Sequence, residues 1–329
     1  MYYLIDRHST DPCWNLAAEE YLFKHIEEPV FRLWRNEPSI IIGLHQNAYA
    51  EIDIDYVKKH KIKVVRRMTG GGAVFHDLGN VNFTFIDNRT EREDSAAMFA
   101  RFTKPILEAM ASLGIDAKLE GRNDLVIDGK KFSGNAVAVW KNRVLQHGTL
   151  LFSTSMQNLS SALASRPEHF SGKAVKSNIA RVTNISEHLK SPMNIEAFIT
   201  HLEKSILYRE SNSYKHYQYT SHDLATIAGI KEKRYGSDEW NLGATPRYGY
   251  TKTERFPGGV VELFLEVESG IIQDIRIYGS YFFVRETKEL EDLLKGIPCT
   301  KEAVSKKLEE IEMCDYMSNI SREQFLSMF

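Results

Sequence analysis

The chain has 329 residues, 43% of them hydrophobic and 26% charged, with a net charge of −2 at pH 7. That length fits one large domain or a large domain with a small appendage. The near-neutral charge excludes a global basic field for nucleic acid or an anionic membrane, so any anion must be held locally. Cys13, Cys299 and Cys314 form no CxxC pair and no disulfide framework, which fits a reducing cytoplasm. The N-terminal MYYLIDRHST has no apolar stretch long enough for a signal peptide or a membrane span. No repeat or low-complexity tract occurs.

In chain order, Asp11-Pro12 marks a helix start, and Trp14, Ala17, Ala18, Tyr21, Leu22 and Ile26 follow at helical spacing. Strands are expected at Val30–Arg35 and Ser39–Ile42, divided by a turn at Asn36-Glu37-Pro38. A short helix over Asp53–His60 leads to a strand at Ile62–Arg66, which delivers the chain to RRMTGGGAVFHD, Arg66–Asp77. In the strand Val81–Ile86, Val81, Phe83 and Phe85 alternate with Asn82 and Thr84. Asp94–Leu113 reads as an amphipathic helix, with Phe99, Phe102, Ile106, Met110 and Leu113 on one stripe. Pro105 is a candidate kink, and Gly114 ends the helix.

Gly121–Phe152 follows, with a hairpin turn at Asp128-Gly129 and a second turn at Lys141-Asn142-Arg143. Folding about Asn142 sets Ala136 roughly opposite Gly148, so that Lys131–Ala136 and Gln146–Thr149 face one another. Ser155 to Glu232 is mostly helical, interrupted by a basic loop, Arg166–Thr183, that carries Lys173, Lys176 and Arg181. The polar stretch Ser211–Ser221 reads as a loop. Trp240-Asn241-Leu242-Gly243 precedes Pro246, the expected boundary between a domain of residues 1–246 and one of 247–329. Phe256–Tyr278 reads as strand, turn at Ser269-Gly270, and strand, with helices to the end. Strands mixed with helices, without strict alternation, indicate an α+β protein.

Chemistry concentrates in a few motifs. Gly70–Gly72 allow a backbone nest for an anion or form a plain tight turn. The glycines precede a strand rather than a helix, which excludes the Rossmann fingerprint, and no Gly-Lys-Ser/Thr makes a Walker loop. Adjacent strand residues point to opposite faces, so one of Arg66 and Arg67 is expected at the site and the other in solvent or an ion pair. His76 is a ligand, a donor or a packed residue, without the spacing of a zinc site. Lys131, beside Ser133 and Gly134, can press a point charge on a ligand, or be a surface lysine at a turn. Asn123 and Asp124 suit either Mg²⁺ or a turn. His147 lies on the opposing strand as a satisfied core histidine or a ligand. Cys13 has no local pattern that would activate a thiol.

RRMTGGGAVFHDLGNVNFTF, GRNDLVIDGKKFSGNA, QHGTLLF, RVTN and EWNLG, in this order, resemble bacterial lipoate–protein ligases over essentially the whole chain. The resemblance implies a mixed or antiparallel sheet with flanking helices, related to biotin ligases and class II aminoacyl-tRNA synthetases, and a small α+β C-terminal accessory domain. It implies that lipoate and ATP give lipoyl-AMP, and that the lipoyl group passes to a lysine of an acceptor protein. The acceptors implied are lipoyl domains of oxoacid dehydrogenase complexes and the glycine-cleavage H protein; a monomer is expected, although the sequence leaves oligomeric state open. Arg67 falls on the family's nucleotide-contacting arginine, and Gly72, Ala73, Val74 and Phe75 on its ATP-contacting backbone. Lys131 falls on the essential lysine. His76, Ala136 and His147 fall on walls of the adenylate pocket, Asp124 on the Mg²⁺ site, and Lys173 and Arg181 on a loop that closes over the adenylate. The chain departs from one relative at Ala138, where an arginine stands, and at the uncharged Asn178 and Ile179.

The residue types suit this chemistry. A carboxylate must approach the α-phosphate, another anion, and Lys131 can bridge the two. Mg²⁺ would neutralise pyrophosphate, and an apolar lining, with Leu44, Val74 and Phe83 as candidates, would take the acyl chain. The alternatives are an octanoyl or lipoyl transferase fed by a carrier-bound acyl group, a biotin ligase, and a non-catalytic lipoate-binding regulator.

Overall fold

The computed structural model describes residues 1–46, 48, 52, 54–90, 93–163, 182–207, 214–242, 250–268 and 270–329. Strand β1 (Tyr2–Ile5) leads to helix α1 (Pro12–His25) and strand β2 (Val30–Trp34). Asp11 caps α1 by accepting from Cys13 N, and Pro12 sits where its missing N–H costs nothing. The helix returns the chain so that β1 and β2 pair in parallel. It is covered on nearly all sides: Asn15, Glu19 and Glu20 are buried with Leu16, Ala17 and Leu22.

Strand β3 (Ser39–Ile42), helix α2 (Ile54–Lys59), β4 (Lys63–Arg66) and β5 (Val74–His76) build a small sheet of order β4-β3-β5. The main sheet comprises β6 (Asn80–Asn88), β7 (Ala117–Glu120), β8 (Asp124–Ile127), β9 (Lys130–Trp140), β10 (Arg143–Leu151) and β11 (Lys215–His216), with β1 and β2, in the order β11-β1-β2-β6-β10-β9-β8-β7. Helix α3 (Ser95–Ser112), capped by Asp94 on Ala97 N, buries Met98, Phe99, Phe102, Ile106 and Met110. These pack on Phe31, Val81, Phe83 and Phe85, which form one face of the main sheet. The opposite face of the sheet meets α1 and the small sheet.

Beyond β10 come α4 (Met156–Ala162), α5 (Ile195–Leu207), α6 (Ser221–Ile230) and α7 (Asp238–Asn241). The C-terminal unit has its own sheet of β12 (Tyr250–Phe256), β13 (Gly259–Glu268) and β14 (Ile271–Gly279). That sheet packs on α8 (Thr287–Leu294), α9 (Lys301–Leu308), α10 (Met313–Tyr316) and α11 (Arg322–Leu326) around a separate core that includes Val261, Leu263, Ile275, Leu290 and Phe325.

Three expectations need correction. The second hairpin turn is two residues, Lys141-Asn142, with Lys141 at φ 53° and Arg143 already in β10. Ala136 therefore lies opposite His147 rather than Gly148. The C-terminal sheet has three strands rather than two; β12 is polar and exposed and lacks the apolar alternation of its neighbours, so periodicity does not announce it. The basic stretch at 166–181, with Lys173, Lys176, Asn178, Ile179 and Arg181, lies outside the described residues, as does the boundary expected at Pro246.

Candidate active site

The β8–β9 hairpin turns at Asp128 and Gly129, with φ of 51° and 71°, the pair of positive angles that a type I′ turn demands. Leu125 pairs with Ser133 and Val126 with Lys131, which leaves Phe132 as the extra residue of a bulge. Phe132 is fully buried in the main core. The bulge turns Lys131 onto the face of Gly134 instead of the face that simple alternation would give it. The ammonium consequently stands over the glycine: a Cβ at Gly134 would lie 3.0 Å from Lys131 Nζ. Asp124 Oδ1 pairs with Lys131 Nζ at 2.8 Å, and both side chains are about one-third exposed, at 34% and 38%. Val182 bridges this strand, and Thr183 N donates to the Lys131 carbonyl at 2.9 Å. Val182 and Thr183 of the RVTN motif are thereby tied to the lysine.

The glycine loop lies above this face. Both arginines before it are buried, at 6% and 5% exposure, so neither goes to solvent. Arg66 donates to the carbonyls of Gly43, Leu44, Gln46, Trp240 and Asn241, the last two from the EWNLG motif. Arg67 donates to the carbonyls of Ile41, Gly70 and Gly72 and to Thr69 Oγ1. Burial pushes both guanidinium groups down to about 10, still charged at neutral pH. Gly70 packs so tightly that a Cβ there would lie 2.3 Å from the Tyr281 carbonyl, and Gly71 has φ +90°. A Cβ at Gly72 would meet nothing within 4 Å, so this side of the loop is open. Ala73 and Val74 are half-buried beside it, while Phe75 is buried with Ile40 and Ile42 on the far side.

The sheet beneath forms a polar floor. Trp34, Asn82 and Thr149 pair across β2, β6 and β10. Gly134 N donates to Thr149 Oγ1 at 3.1 Å, and Gly134 pairs with Asp124. One row thus runs from Trp34 to the Lys131–Asp124 pair. The next row is Arg32, Thr84, His147 and Ala136. Here Glu19 from α1 accepts from Thr84 Oγ1 at 2.7 Å and contacts His147 Nδ1 at 2.8 Å. Burial alone would raise the Glu19 carboxyl, but His147 and Thr84 hold it below the usual carboxylate range. With that carboxylate on Nδ1–H, His147 Nε2 accepts from Thr69 Oγ1 at 2.9 Å, and Thr69 accepts from Arg67 Nε at 2.8 Å. A continuous chain of bonds runs from α1 to the glycine carbonyls.

His76 hangs from the roof, 3% exposed, with Nδ1 facing Asn36 Nδ2 at 3.0 Å. Burial pushes it down to about 3, so the ring is neutral. Its Nε2, Asn80 Oδ1 and Asn82 Nδ2 are buried with no hydrogen-bond partner among the described residues.

The structure therefore gathers Lys131, Asp124, His147, Ala136 and the Gly72–His76 segment around one face of the sheet. The same reading missed Glu19, Thr69, Trp34 and Asn82. The available signal was Asn80, Asn82 and Thr84 on alternate positions of a strand whose other face is apolar; all three are buried, so they form a floor and not a solvent face. Of the expected lining residues, Phe83 belongs to the core on the opposite face. Leu44 lines a cleft of about 330 Å³ with Arg66, Trp240 and Tyr278. Burial pushes the Cys13 thiol up to about 11, which keeps it protonated at neutral pH. Among the described residues no cluster of three or more His, Cys, Asp or Glu forms a metal cage, and no helix is long and apolar enough to cross a membrane.

The sequence matches the family model described as lipoyl protein ligase A/B catalytic domain over residues 11–207 and that of the bacterial lipoate protein ligase C-terminus over 245–329. The lipoate-protein ligase LplJ of Bacillus subtilis is 40% identical over 331 residues, covering 100% of this chain and 99% of that protein. Lipoate–protein ligase 1 of Staphylococcus aureus is 36% identical, covering 100% and 99%. Among solved structures, P. falciparum LipL1 in complex with lipoate is 26% identical at a TM-score of 0.80, covering 99% of this chain and 97% of that one. A lipoate-protein ligase A bound with ATP is 27% identical at a TM-score of 0.65, covering 74% and 98%. Sequence, fold and the two-part match agree: the chain belongs to the lipoate–protein ligase family.

Proposed function

We propose that this ATP-dependent lipoate–protein ligase carries out two steps on the face of the sheet headed by Lys131. In the first, a lipoate carboxylate oxygen attacks the α-phosphorus of ATP, forming lipoyl-AMP as pyrophosphate leaves. In the second, the neutral Nζ of an acceptor lysine attacks the acyl carbon, forming an amide as AMP leaves and the amine sheds a proton. The observation that carries this reading is the bulge that sets the Lys131 ammonium over Gly134, at the solvent-reachable end of a buried polar row. There Lys131 is the catalytic residue, bridging carboxylate and phosphate oxygens as negative charge builds.

The open side of Gly72 and the backbone of Ala73, Val74 and Phe75 would take the nucleotide, with His76, Ala136 and His147 as walls. Arg67, spent on loop carbonyls, would serve the nucleotide by fixing those amides. Asp124 fits Mg²⁺ arriving with ATP, because that ion needs only one or two carboxylates beside phosphates and water. When bound it would neutralise phosphate charge. We take the division into domains to be 1–246 and 247–329, supported by the separate C-terminal core.

The expected acceptors are lipoyl domains of oxoacid dehydrogenase complexes and the glycine-cleavage H protein. An archaeal ligase, 29% identical at a TM-score of 0.66, is described together with its E2 lipoyl domain. Three free cysteines support a cytoplasmic location, and we take the enzyme to be a monomer. The protonated Cys13 speaks against a thioester-forming transferase. With ATP, Mg²⁺ and lipoate the protein should release pyrophosphate and add a lipoyl mass to an apo lipoyl domain. Lys131→Ala should lose both steps; no pyrophosphate from the unaltered enzyme, or near-normal turnover in the variant, overturns the assignment.

A further inference from the structure

Asn82 has no task in holding the nucleotide or the phosphates, yet it is buried to 1% exposure with an unused donor. Its Oδ1 accepts from Asn80 Nδ2 at 2.9 Å, while its Nδ2 has no partner among the described residues. A buried amide N–H left unpaired is costly, and such groups are normally completed by a ligand, an ion or water. Asn82 lies between Trp34 and Thr149 on the floor. Its strand neighbours Val81 and Phe83 face the apolar core on the other side. A second unpaired donor lies at the same end of the row. His76 takes Asn36 Nδ2 on Nδ1, so its hydrogen is on Nε2, which is also buried without a partner. The His76 and Trp34 rings are 6.2 Å apart.

The spacing along this row sets what could reach Asn82. Gly134, under the Lys131 ammonium, and Asn82 are separated by two interstrand steps of about 4.8 Å, roughly 10 Å in all. That matches the reach of an extended pentanoate chain ending in a small ring. On the reading above, in which Lys131 holds the carboxylate of lipoate, the ring arrives over Asn82. We propose that Asn82 is a specificity-determining residue whose Nδ2 donates to a ring sulfur of lipoate and favours the dithiolane over a saturated chain or ring of the same size. Sulfur is a weak acceptor, but a methylene is none, so a carbocyclic acid would leave the donor unpaired in the complex. Sites built around a hydrogen bond discriminate by that unpaired group more sharply than by shape alone.

The test compares pyrophosphate release by the full-length enzyme with lipoate and with 5-cyclopentylpentanoate, in which methylenes replace both sulfurs. The wild type should favour lipoate by about tenfold in kcat/KM, mainly through KM. Asn82→Leu should bring the two acids to within about twofold in kcat/KM, chiefly by raising the KM for lipoate. Equal use of both acids by the wild type, or an unchanged preference in the variant, overturns the proposal. Asn82→Val is smaller and suits a strand; it carries the same expectation if Asn82→Leu fails to fold, and the wild-type comparison needs neither. No pyrophosphate from either acid is a different failure, which removes the ligase reading and this inference with it.

Discussion

A buried histidine at the roof of the site ties stability to pH. His76 is 3% exposed, and burial first, then the neighbouring His147 and Arg67, push it down to about 3. An unfolded histidine titrates near 6.5. Between these values the unfolded chain binds a proton that the folded chain does not. The stabilisation is therefore complete above about pH 6.5 and is lost as pH falls from there toward 3, by up to about 1.4 kcal/mol per pH unit. Urea midpoints measured from pH 7 to pH 4 should fall less steeply in His76→Gln than in the wild type; parallel curves would place the acid sensitivity on other groups. The sequence marked His76 as a candidate but left open whether it was a ligand, a donor or a packed residue, because burial is a tertiary fact. It named Lys131 and His147, and it missed Glu19 for a related reason. A carboxylate inside a helix normally reads as a solvated face, and only the fold brings it 2.8 Å from His147.

At the scale of elements, local signals were read well and tertiary ones poorly. Asp128-Gly129 specified its hairpin because two positive φ angles suit few residues. Asp94 and Ser112 bound a helix whose apolar stripe was visible in advance. The bulge at Phe132 was not visible, since it depends on burying that ring in a core assembled from distant residues. It is nonetheless the feature that aims the lysine. Gly134→Ala tests that geometry. The new methyl would lie 3.0 Å from Lys131 Nζ and 3.1 Å from Cε, the far end of a flexible side chain, so the fold should survive while the ammonium moves. A displacement on the order of 1 Å can cost about a hundredfold in rate. Adenylation should fall by roughly that factor with the melting temperature nearly unchanged, whereas Gly229→Ala, with nothing within 4 Å of the added carbon, should alter neither. Full activity in Gly134→Ala would mean that the lysine reaches its station by another route.

Across the whole molecule, the family resemblance implied two parts but not how the second part meets the first. The segment after β14 lies on the glycine loop. Gly279 N donates to the His45 carbonyl at 2.7 Å, Gly71 N approaches the Tyr281 carbonyl at 3.4 Å, and the His45 and Tyr281 rings stack at 5.3 Å. Arg122, from the GRND motif, donates to the Gly258 carbonyl, and its guanidinium lies 5.1 Å from the Phe282 ring centre. Phe282 itself is 2% exposed, packs 5.2 Å from Phe99, and belongs to the core of the main sheet rather than to that of its own unit. None of this follows from local periodicity, because Tyr281, Phe282 and Phe283 form a run that fits neither strand nor helix alternation. Removing the Phe282 ring should cost about 3–5 kcal/mol, the range for a buried Phe→Ala change. The loss should appear at the junction, because the C-terminal unit keeps Val261, Leu263, Ile275 and Phe325 as its own core. In hydrogen-exchange mass spectrometry of Phe282→Ala, peptides covering Thr69–Gly72 and Gly279–Phe283 should lose protection together, while those of β13 and α9 keep theirs. Unchanged protection of the glycine loop would show that Arg67 and Thr69 hold it without help from the C-terminal unit.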